Sequence, residues 1–347
     1  GLGDVYKRQI LPQSNCVCNL KLSCFLGLEP PCNRHWAVVS FFHAHRGGKL
    51  MKKGMLITNG FVGEESFKSL FRALMEAAEK ENIAIEQQSN DSLLFDIASG
   101  EPLFDIDRYS FGIFWDKDIM LGQMLEKCGL RLFNSARAVA LCDDKALTHA
   151  ALSGRLPMPK TVPVPQTYKY VGYGEMAFLK RAAEYLGLPL IIKECRGSFG
   201  KQVYLADTEE QAAEIIRSHE ATPMIMQQAV RESFGRDVRI YVVGGEVMGA
   251  MRRSNDRDFR ANIANGGSAE AYVPSDEEKH LALEAVRLLG LDFGGVDILH
   301  SQEGPLLCEV NSNAHFAGME KSTGADISGA VMPVSYTHLT LPTTSRV

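Results

Sequence analysis

The sequence predicts a small parallel α/β domain followed by a larger α+β region, and two observations carry this prediction. Over residues 51–134, short apolar strand segments alternate with amphipathic helical segments, which is typical of a parallel sheet covered by helices. After a proline-rich stretch at residues 157–165, strand segments come as hairpin pairs with flanking helices, which indicates antiparallel sheets. We therefore expect two differently built regions in one chain of 347 residues.

The first domain follows from the order of its segments. Strands are predicted at residues 55–58, 83–86, 111–115 and 130–133, and helices at residues 64–81 and 119–127. One long helix is predicted over residues 135–153, carrying Asp144 and Lys145 and ending at Gly154. We expect a boundary at this point, before the prolines.

The second region combines helices with strands that pair in antiparallel fashion. Helices are predicted at residues 175–186, 209–218 and 275–289, and strands at residues 190–193, 203–206 and 224–228. Two hairpins follow from turn signals, one over residues 237–252 with a Gly-Gly turn and one over residues 293–311. The chemistry-bearing side chains concentrate in these hairpins.

The second hairpin carries two carboxylates and an amide. With its loop at residues 302–304, Asp297 stands opposite Glu309, and Asn311 shares their face because strand side chains alternate. The opposite face is predicted to be apolar, with Val296, Ile298, Leu307, Cys308 and Val310. Hard oxygen ligands in this number suit Mg²⁺ that carries substrate phosphates, although a solvated acidic edge would show the same pattern.

The first hairpin and the segment after it are rich in arginine. With the turn at Gly244 and Gly245, Asp237 is predicted to oppose Arg252. Arg260 and Asn262 follow in a loop dense in guanidinium groups, which suit phosphate and carboxylate oxygens. The alternative is a solvated loop whose charges pair with one another.

Two lysines complete the candidate set. Lys193 ends an apolar strand directly before a loop with glycines at 197 and 200, which let a backbone approach phosphate. The loop lacks the spacing of a P-loop, so an ordinary tight turn is an open alternative. Lys145, taken alone, is typical of a surface helix.

Taken in chain order, these motifs resemble the ATP-grasp superfamily, most closely the RimK-like carboxylate–amine ligases that add α-L-glutamate. Asp297 with Glu309-Val-Asn311 resembles the metal pair of that family, Phe259-Arg260-Ala-Asn262 its phosphate motif, and residues 323–329 its closing segment. The resemblance is strong over residues 140–332 and loose over 51–139.

The resemblance implies a domain plan. Residues 51–140 would form a pre-ATP-grasp α/β domain, and residues 141–332 would form a two-subdomain ATP-grasp fold. Within the latter, a lid subdomain would cover about 155–224 and a metal-binding subdomain about 225–332.

The resemblance also implies residue roles. Lys145 and Lys193 would hold ATP phosphates, and the backbone at Gln228 and Ala229 would meet adenine. Asp237 would bind ribose or support the site through Arg252. Arg260 and Asn262 would act on the γ-phosphate as the catalytic pair. The metal ligands would be Asp297, Glu309 and Asn311, holding two Mg²⁺ ions or Mn²⁺ in their place.

The implied activity is ATP-dependent ligation. A carboxylate would attack the γ-phosphorus of ATP, and an amine would then displace phosphate from the acyl phosphate. The partners would be ATP, an amino-acid donor such as glutamate, and an acceptor that is a small molecule, a peptide, a protein tail, a carrier protein or a cofactor. The resemblance allows a homo-oligomer.

Several alternatives stay open. Another ATP-grasp ligase, of the D-Ala–D-Ala or glutathione-synthetase type, has the same motifs, and a non-catalytic ATP-binding regulator would keep the pocket without turnover. His315 follows the metal motif, where it would either contact substrate or serve as a structural loop histidine.

Charge and composition narrow the functional classes further. The 37 basic and 42 acidic residues give a net charge of −5, which argues against direct nucleic-acid binding. No apolar run reaches the roughly 18 residues that a membrane helix needs. The 8 cysteines are few for this length and favour a reduced, cytoplasmic protein.

The two ends differ from the middle of the chain. Residues 1–50 show neither helical nor strand periodicity, and their cysteines lack the C-x2-C spacing of a zinc site. Segments 4–9 and 334–340 resemble translated sequencing adapters. We therefore expect residues 1–50 and 333–347 to be artefactual tails, with the folded chain starting near Met51.

Overall fold

The computed structural model describes residues 53–337. The expected tail at residues 1–50 lies outside these residues, as does the part of the other tail beyond residue 337. The last described helix runs from Ile327 to Thr337, so it passes through the boundary expected at residue 332. Ser335, in this helix, is buried and donates a hydrogen bond to the carbonyl of Val331.

The first sheet is parallel, as the alternating pattern predicts. Its strands are β1 (Lys53–Thr58), β2 (Ala84–Ser89), β3 (Phe111–Phe114) and β4 (Arg131–Phe133), in the order β2-β1-β3-β4. Helices α1 (Glu65–Lys80) and α2 (Ile119–Lys127) connect them. In a parallel sheet the strand ends meet at one edge, so the residues after β1 and β3 lie close together.

The single helix predicted over residues 135–153 is wrong. The chain forms α3 (Ala136–Asp143) and α4 (Lys145–Leu152), with Asp144 extended between them. The Asp144 carboxylate accepts hydrogen bonds from the backbone N–H groups of Ala146 and Leu147, which is the role of an N-cap. The break makes Lys145 the first residue of α4 rather than a residue in the middle of a helix.

The second sheet is antiparallel and has four strands. They are β5 (Thr161–Pro163), β6 (Leu190–Glu194), β7 (Val203–Ala206) and β8 (Met224–Gln228), in the order β5-β8-β6-β7, with α5 (Ala177–Leu186) and α6 (Glu209–Ser218) packed on them. The short strand β5 has no signal in the sequence pattern. Because β8 pairs with both β5 and β6, this sheet extends past the subdomain boundary expected at residue 224.

The third sheet has five strands in the order β11-β10-β9-β12-β13. They are β9 (Arg236–Val243), β10 (Glu246–Ser254), β11 (Ser268–Ala271), β12 (Phe293–Ser301) and β13 (Gly304–Asn311). Helix α7 (Asp276–Leu289) begins with the predicted capping box and ends at Gly290. Strand β11 and helices α8 (Ala317–Thr323) and α9 (Ile327–Thr337) were not predicted.

The register of β9 and β10 corrects one prediction. A β-bulge between Val247 and Gly249 shifts the pairing by one residue, so Asp237 opposes Arg253 and not Arg252. A one-residue shift moves every following side chain to the other face of the strand. Arg253 is therefore buried against Asp237, whereas Arg252 is exposed.

The register of β12 and β13 confirms that Asp297 opposes Glu309. The loop is one residue shorter than predicted, and a bulge after Asp297 restores the pairing, since Ile298 opposes Leu307. Cys308 is the extra residue, and it lines a cavity instead of joining the apolar face where it was predicted.

The parallel and five-stranded sheets share one hydrophobic core, in which Trp115 stacks on Phe293. Asn134, after β4, is fully buried at this junction. Its amide donates to the carbonyls of Phe293 and Ser312 and accepts from the N–H groups of Asp292 and Phe293. One side chain thus joins the parallel sheet to β12 and to the loop after β13. Within residues 53–337, no helix is long and apolar enough to cross a membrane.

Candidate active site

A cavity of about 680 Å³ lies between the second and third sheets and the strand ends of the first. All but one of the residues predicted to form the site line this cavity. The residues that line it are Lys145, Lys193, Gln228, Asp237, Arg260, Asn262, Asp297, Glu309 and Asn311. Ala229 follows Gln228 in the chain but does not line the cavity.

Four charged side chains that line one part of the cavity form a network of ion pairs, and three of the four are buried. Arg239 forks onto Asp297, with Nε–Oδ1 and Nη2–Oδ2 distances of 2.6 and 2.7 Å. Arg253 forks onto Asp237 at 2.6 Å on both sides and also reaches Asp297 at 3.0 Å. Two arginines therefore balance two aspartates, and neither Arg239 nor Arg253 was among the site residues predicted from the sequence.

The network fixes the ionisation of Asp297. Burial opposes the charged form, but the charges and hydrogen bonds of Arg239 and Arg253 outweigh it and hold the pKa of Asp297 below its usual value. Asp297 is therefore a carboxylate at neutral pH, and each of its oxygens can accept a further contact.

Glu309 and Asn311 make fewer contacts with other charged or polar side chains than Asp297 does. The Glu309 carboxylate is partly exposed and lies 3.6 Å from Lys145 Nζ, while Asn311 has a buried amide nitrogen with no hydrogen-bond partner within residues 53–337. A hard cation takes carboxylate and amide oxygens, so Asp297, Glu309 and the side-chain oxygen of Asn311 are ligands of the right type, whereas the unpaired Asn311 nitrogen is a donor. No group of three His, Cys, Asp or Glu side chains arranged for a metal occurs among the described residues, so such a site depends on the amide as well.

The two lysines enter the cavity from different elements. Lys145 begins α4 and its Nζ lies 3.4 Å from the carbonyl oxygen of Gly197. Lys193 lies in β6, between β7 and β8, with its Nζ 3.6 Å from Cys308 Sγ. Both are buried, which makes them strong attractors for an anion in the cavity.

The glycine loop covers these lysines and contacts Arg260. The Arg260 guanidinium donates to the carbonyl of Gly200 at 2.8 Å and also forks onto Asp258. Gly200 has a φ of 70°, and a Cβ there would lie 2.5 Å from Asn262 Oδ1. The left-handed backbone conformation and this close approach both favour glycine at position 200.

The far end of the cavity is apolar. Ile191, Val230 and Leu299 line it next to Gln228, whose backbone N–H donates to the carbonyl of Lys160. A planar, mostly apolar group fits between such walls. The lysines, Arg260 and the carboxylates lie in the more polar part.

One further side of the cavity, which we call the fourth wall, was not predicted from the sequence except for His315. Trp115 and Asp116 follow directly after β3, and Asn313 and His315 follow β13; all four line the cavity. Burial raises the pKa of Asp116 and lowers that of His315. The weak sequence signal was the position of Trp115-Asp116 at the end of a parallel strand, where α/β proteins bind ligands.

The cysteines have no reactive environment in this region. Burial raises the pKa of Cys195 to about 11, and it also raises that of Cys308 beside Lys193. A thiol with a raised pKa is a poor nucleophile at neutral pH.

Comparison with known proteins decides the family. The family model described as the RimK-like ATP-grasp domain matches residues 142–334, more than half of the chain. This chain belongs to the RimK-like ATP-grasp family. The match begins just before Lys145 and ends after α8, so it covers every RimK-like motif named above.

The relatives of this RimK-like protein include proteins named as glutamate ligases or as synthases of glutamate-containing compounds. The chain is 37% identical over 220 residues to β-citrylglutamate synthase B from Homo sapiens, covering 62% of this chain and 55% of that one. It is 32% identical over 228 residues to a probable α-L-glutamate ligase from Cellvibrio japonicus, covering 65% and 73%. The chain spans about half the length of the first of these relatives.

Solved structures confirm the ATP-grasp fold. A RimK domain protein from Sphaerobacter thermophilus superimposes with a TM-score of 0.62 at 19% identity, covering 82% of this chain and 99% of that one. A D-alanine–D-alanine ligase from Bacillus anthracis, complexed with ATP, superimposes with a TM-score of 0.63 at 14% identity, covering 83% and 97%. At these identities the likeness concerns the fold.

The buried network predicts a large difference between two neighbouring arginines. Arg253→Met should lower the free energy of unfolding by about 3–5 kcal/mol, because it leaves two buried aspartates with one guanidinium. Arg252→Met should change it by only about 1 kcal/mol, since Arg252 makes an exposed ion pair with Glu270 and a cation–π contact with the Tyr272 ring. Urea unfolding of both variants measures this, and equal losses would contradict the register.

His149 predicts a pH dependence of stability. Burial, and then the charges of Lys193 and Lys145, lower the pKa of His149 from 6.5 to about 4. The unfolded chain therefore binds a proton at this residue more readily than the folded protein, and stability falls as pH falls from about 6.5 towards 4. The loss at pH 5 should be about 2 kcal/mol relative to pH 8.

His149→Gln should remove that part of the pH dependence, measured by urea unfolding at pH 8 and pH 5. His280→Gln, at an exposed position of α7, is the matched control and should keep it. A His149→Gln variant as sensitive to pH as the wild type would contradict a buried, neutral His149.

Proposed function

We propose that this protein is an ATP- and Mg²⁺-dependent ligase that joins a carboxylate to an amine through an acyl phosphate. The observation that carries the proposal is the convergence of the Asp297–Glu309 pair and Asn311 with Lys145, Lys193 and Arg260 in one cavity. A protein that only binds nucleotide need not keep two carboxylates and an amide facing the phosphate site. The regulator alternative is therefore disfavoured, as is nucleic-acid binding at a net charge of −5.

The chemistry proceeds in two balanced steps. A substrate carboxylate oxygen attacks the γ-phosphorus, the bond to the β-phosphate oxygen breaks, and ADP leaves. The amine nitrogen then attacks the acyl carbon, the C–O bond to phosphate breaks, and inorganic phosphate leaves with the amide formed and a proton released. No side chain of the protein forms a covalent bond, so its contribution is positioning and charge stabilisation.

Each polar side chain then has a role. Lys145 and Lys193 bind ATP phosphates, Arg260 and Asn262 orient the transferred phosphoryl group, and the apolar end beside Gln228 receives adenine. Asp237 holds Arg253 in place. Asp297, Glu309 and Asn311 would hold two Mg²⁺ ions, which when bound neutralise charge on the β- and γ-phosphate oxygens; Mn²⁺ suits the same oxygen ligands.

The glycine loop at residues 197–200 acts as a cover. Water would hydrolyse an acyl phosphate, and the loop already contacts Lys145, Arg260 and Asn262 from above the polar part of the cavity. We propose the domain plan of residues 51–140 and 141–332, with the last helix, α9, continuing past the second limit to Thr337. We place the limit between the lid and metal-binding subdomains after Gln228, where the second sheet ends.

The relatives support an amino acid as one substrate. Their names include β-citrylglutamate synthase, N-acetylaspartylglutamate synthase and probable α-L-glutamate ligase, and each joins or is named for glutamate. We therefore propose glutamate, or a similar amino acid, as the amine. D-Ala–D-Ala and glutathione-synthetase types are the nearest alternatives, since they share the fold.

Release of ADP tests the proposal. The full chain is supplied with Mg-ATP and pairs of carboxylates and amino acids, with mass spectrometry to detect a product of condensation. ADP release that needs both substrates is the expected result. Tight ATP binding without ADP release under any pairing would favour the regulator.

Glu309→Gln in the same assay should lower turnover by at least about a hundredfold, because it removes a ligand charge from the phosphate site. Glu303→Gln removes the same charge from the exposed turn of the same hairpin and should have no effect. Glu309 is a cleaner target than Asp297, whose loss would also disturb the buried network. Equal activity in both variants would contradict the metal role.

Arg260→Ala should lower the rate of phosphoryl transfer by about a hundredfold while ATP affinity falls less than tenfold, because the guanidinium acts mainly on the transition state. Single-turnover kinetics and equilibrium binding separate the two effects. Arg257→Ala, three residues away and exposed, is the control. Equal losses of rate and affinity would make Arg260 a plain binding residue.

A further inference from the structure

Unpaired polar atoms gather on one side of the cavity. Five buried side-chain atoms there lack a hydrogen-bond partner within the described residues. They are Trp115 Nε1, Asp116 Oδ2, Asn311 Nδ2, Asn313 Oδ1 and His315 Nε2. A buried polar atom without a partner costs about 1–3 kcal/mol, so native proteins keep few of them. Five in one wall indicate a place that a polar ligand fills.

Asp116 is a half-satisfied carboxylate. Its Oδ1 accepts from the N–H of Lys117 at 2.6 Å and from the Asn59 amide at 3.3 Å, whereas Oδ2 has no partner within residues 53–337. The residue is only 6% exposed. The nearest cation along the chain, Lys117, forms its ion pair with Asp143. The two bonds hold Asp116 in place with one oxygen free to accept from a cation.

Trp115 supplies a donor next to this acceptor. The indole is 4% exposed and is held by stacking on Phe293 and by edge contact with Phe316. Its Nε1–H, a donor only, has no partner in the described part of the chain. An anionic acceptor and a fixed donor on adjacent residues fit a ligand that carries a cation and an anion close together.

Asn313 and His315 connect this wall to the β12–β13 hairpin, which carries the proposed metal ligands. Asn313 donates from Nδ2 to the backbone carbonyl of Asp116 at 3.0 Å, which leaves Oδ1 free. It lies two residues beyond Asn311, so the wall begins where β13 ends. His315 packs edge-on against Phe67 of α1, with ring centroids 4.3 Å apart, and lies 5.9 Å from Phe199 of the glycine loop.

We propose that Trp115, Asp116, Asn313 and His315 form the amine seat, a binding site for the amine substrate that takes a free L-α-amino acid as its zwitterion. Asp116 Oδ2 and Asn313 Oδ1 accept from the ammonium group, and Trp115 Nε1 donates to the α-carboxylate. The inference rests on the proposed ligase function and adds the residues that select the amine. N-blocked amino acids and simple dicarboxylates lack the ammonium group and are excluded from the seat.

Tryptophan fluorescence tests the amine seat directly. The chain has two tryptophans, Trp36 and Trp115, so Trp36→Phe leaves Trp115 as the single reporter. The full-length variant is titrated with each standard L-amino acid and with its N-acetyl derivative, in the presence of Mg-ADP. We expect at least one amino acid to shift the Trp115 emission and its N-acetyl derivative to bind at least about thirtyfold more weakly, the loss of one charged hydrogen bond.

Asp116→Asn, in the Trp36→Phe background, should lower the affinity for that amino acid by about thirtyfold or more and leave the affinity for ATP within twofold of its original value. Asparagine has the same shape and retains the acceptor for Lys117. Asp118→Asn removes the same charge two residues away, at the N-cap of α2, where asparagine caps equally well, and should change neither affinity.

The outcomes separate the two proposals. Equal binding of an amino acid by wild type and Asp116→Asn, or equal binding of free and N-acetylated forms, would overturn the amine seat. So would ADP release that requires an amine which leaves Trp115 emission unchanged. Binding that depends on Asp116 without any ADP release would keep the seat and overturn the ligase. If Asp116→Asn fails to fold, the comparison of free and N-acetylated amino acids on the Trp36→Phe protein still decides.

Discussion

The cavity depends on the pairing of four charged side chains that are largely removed from water. Taking ions out of water is costly unless each is paired with good geometry, and Arg239, Arg253, Asp237 and Asp297 pair in full only when β9, β10 and β12 are in one register. That register sets where Glu309 and Asn311 stand, because β13 pairs with β12 alone. The positions of Glu309 and Asn311 are therefore a consequence of how these charges are paired.

Much of this arrangement could be predicted because it follows from periodicity. Alternating strands and helices specify the parallel sheet, and the pairing of Asp297 with Glu309 is right even though the loop is shorter, since the bulge at Cys308 compensates. Bulges themselves have almost no sequence signal, so Arg252 was chosen where Arg253 is buried. The helix break at Asp144 could have been found, because an aspartate before a lysine is also an N-cap signal. The wall of Trp115 and Asp116 had only a weak signal, the position of these residues at the end of a parallel strand, because the wall itself forms only where two sheets meet.

Two lysines line the polar part of the cavity, and a neutral histidine that is not part of its lining lies near them. Lys145 and Lys193 come from different elements and are held near carbonyl and thiol groups rather than in strong ion pairs, which leaves them available to an anion. His149, one turn after Lys145 on α4, is kept uncharged by burial and by the same lysines. Because His149 is neutral, it adds no positive charge beside Lys145 and Lys193.

Asn134 has a consequence for how such proteins diversify. Its four hydrogen bonds fasten the end of β4 to the start of β12 and to the loop after β13. Half of the fourth wall follows a strand of the N-terminal sheet, and the other half lies in that loop. Substitutions in the short segment after β3 would reshape that wall without touching the residues around the phosphates. If the amine seat and the phosphate site are as proposed, part of the substrate preference is encoded in a piece of sequence separate from the residues that contact phosphate, and evolution can alter one while the other is preserved.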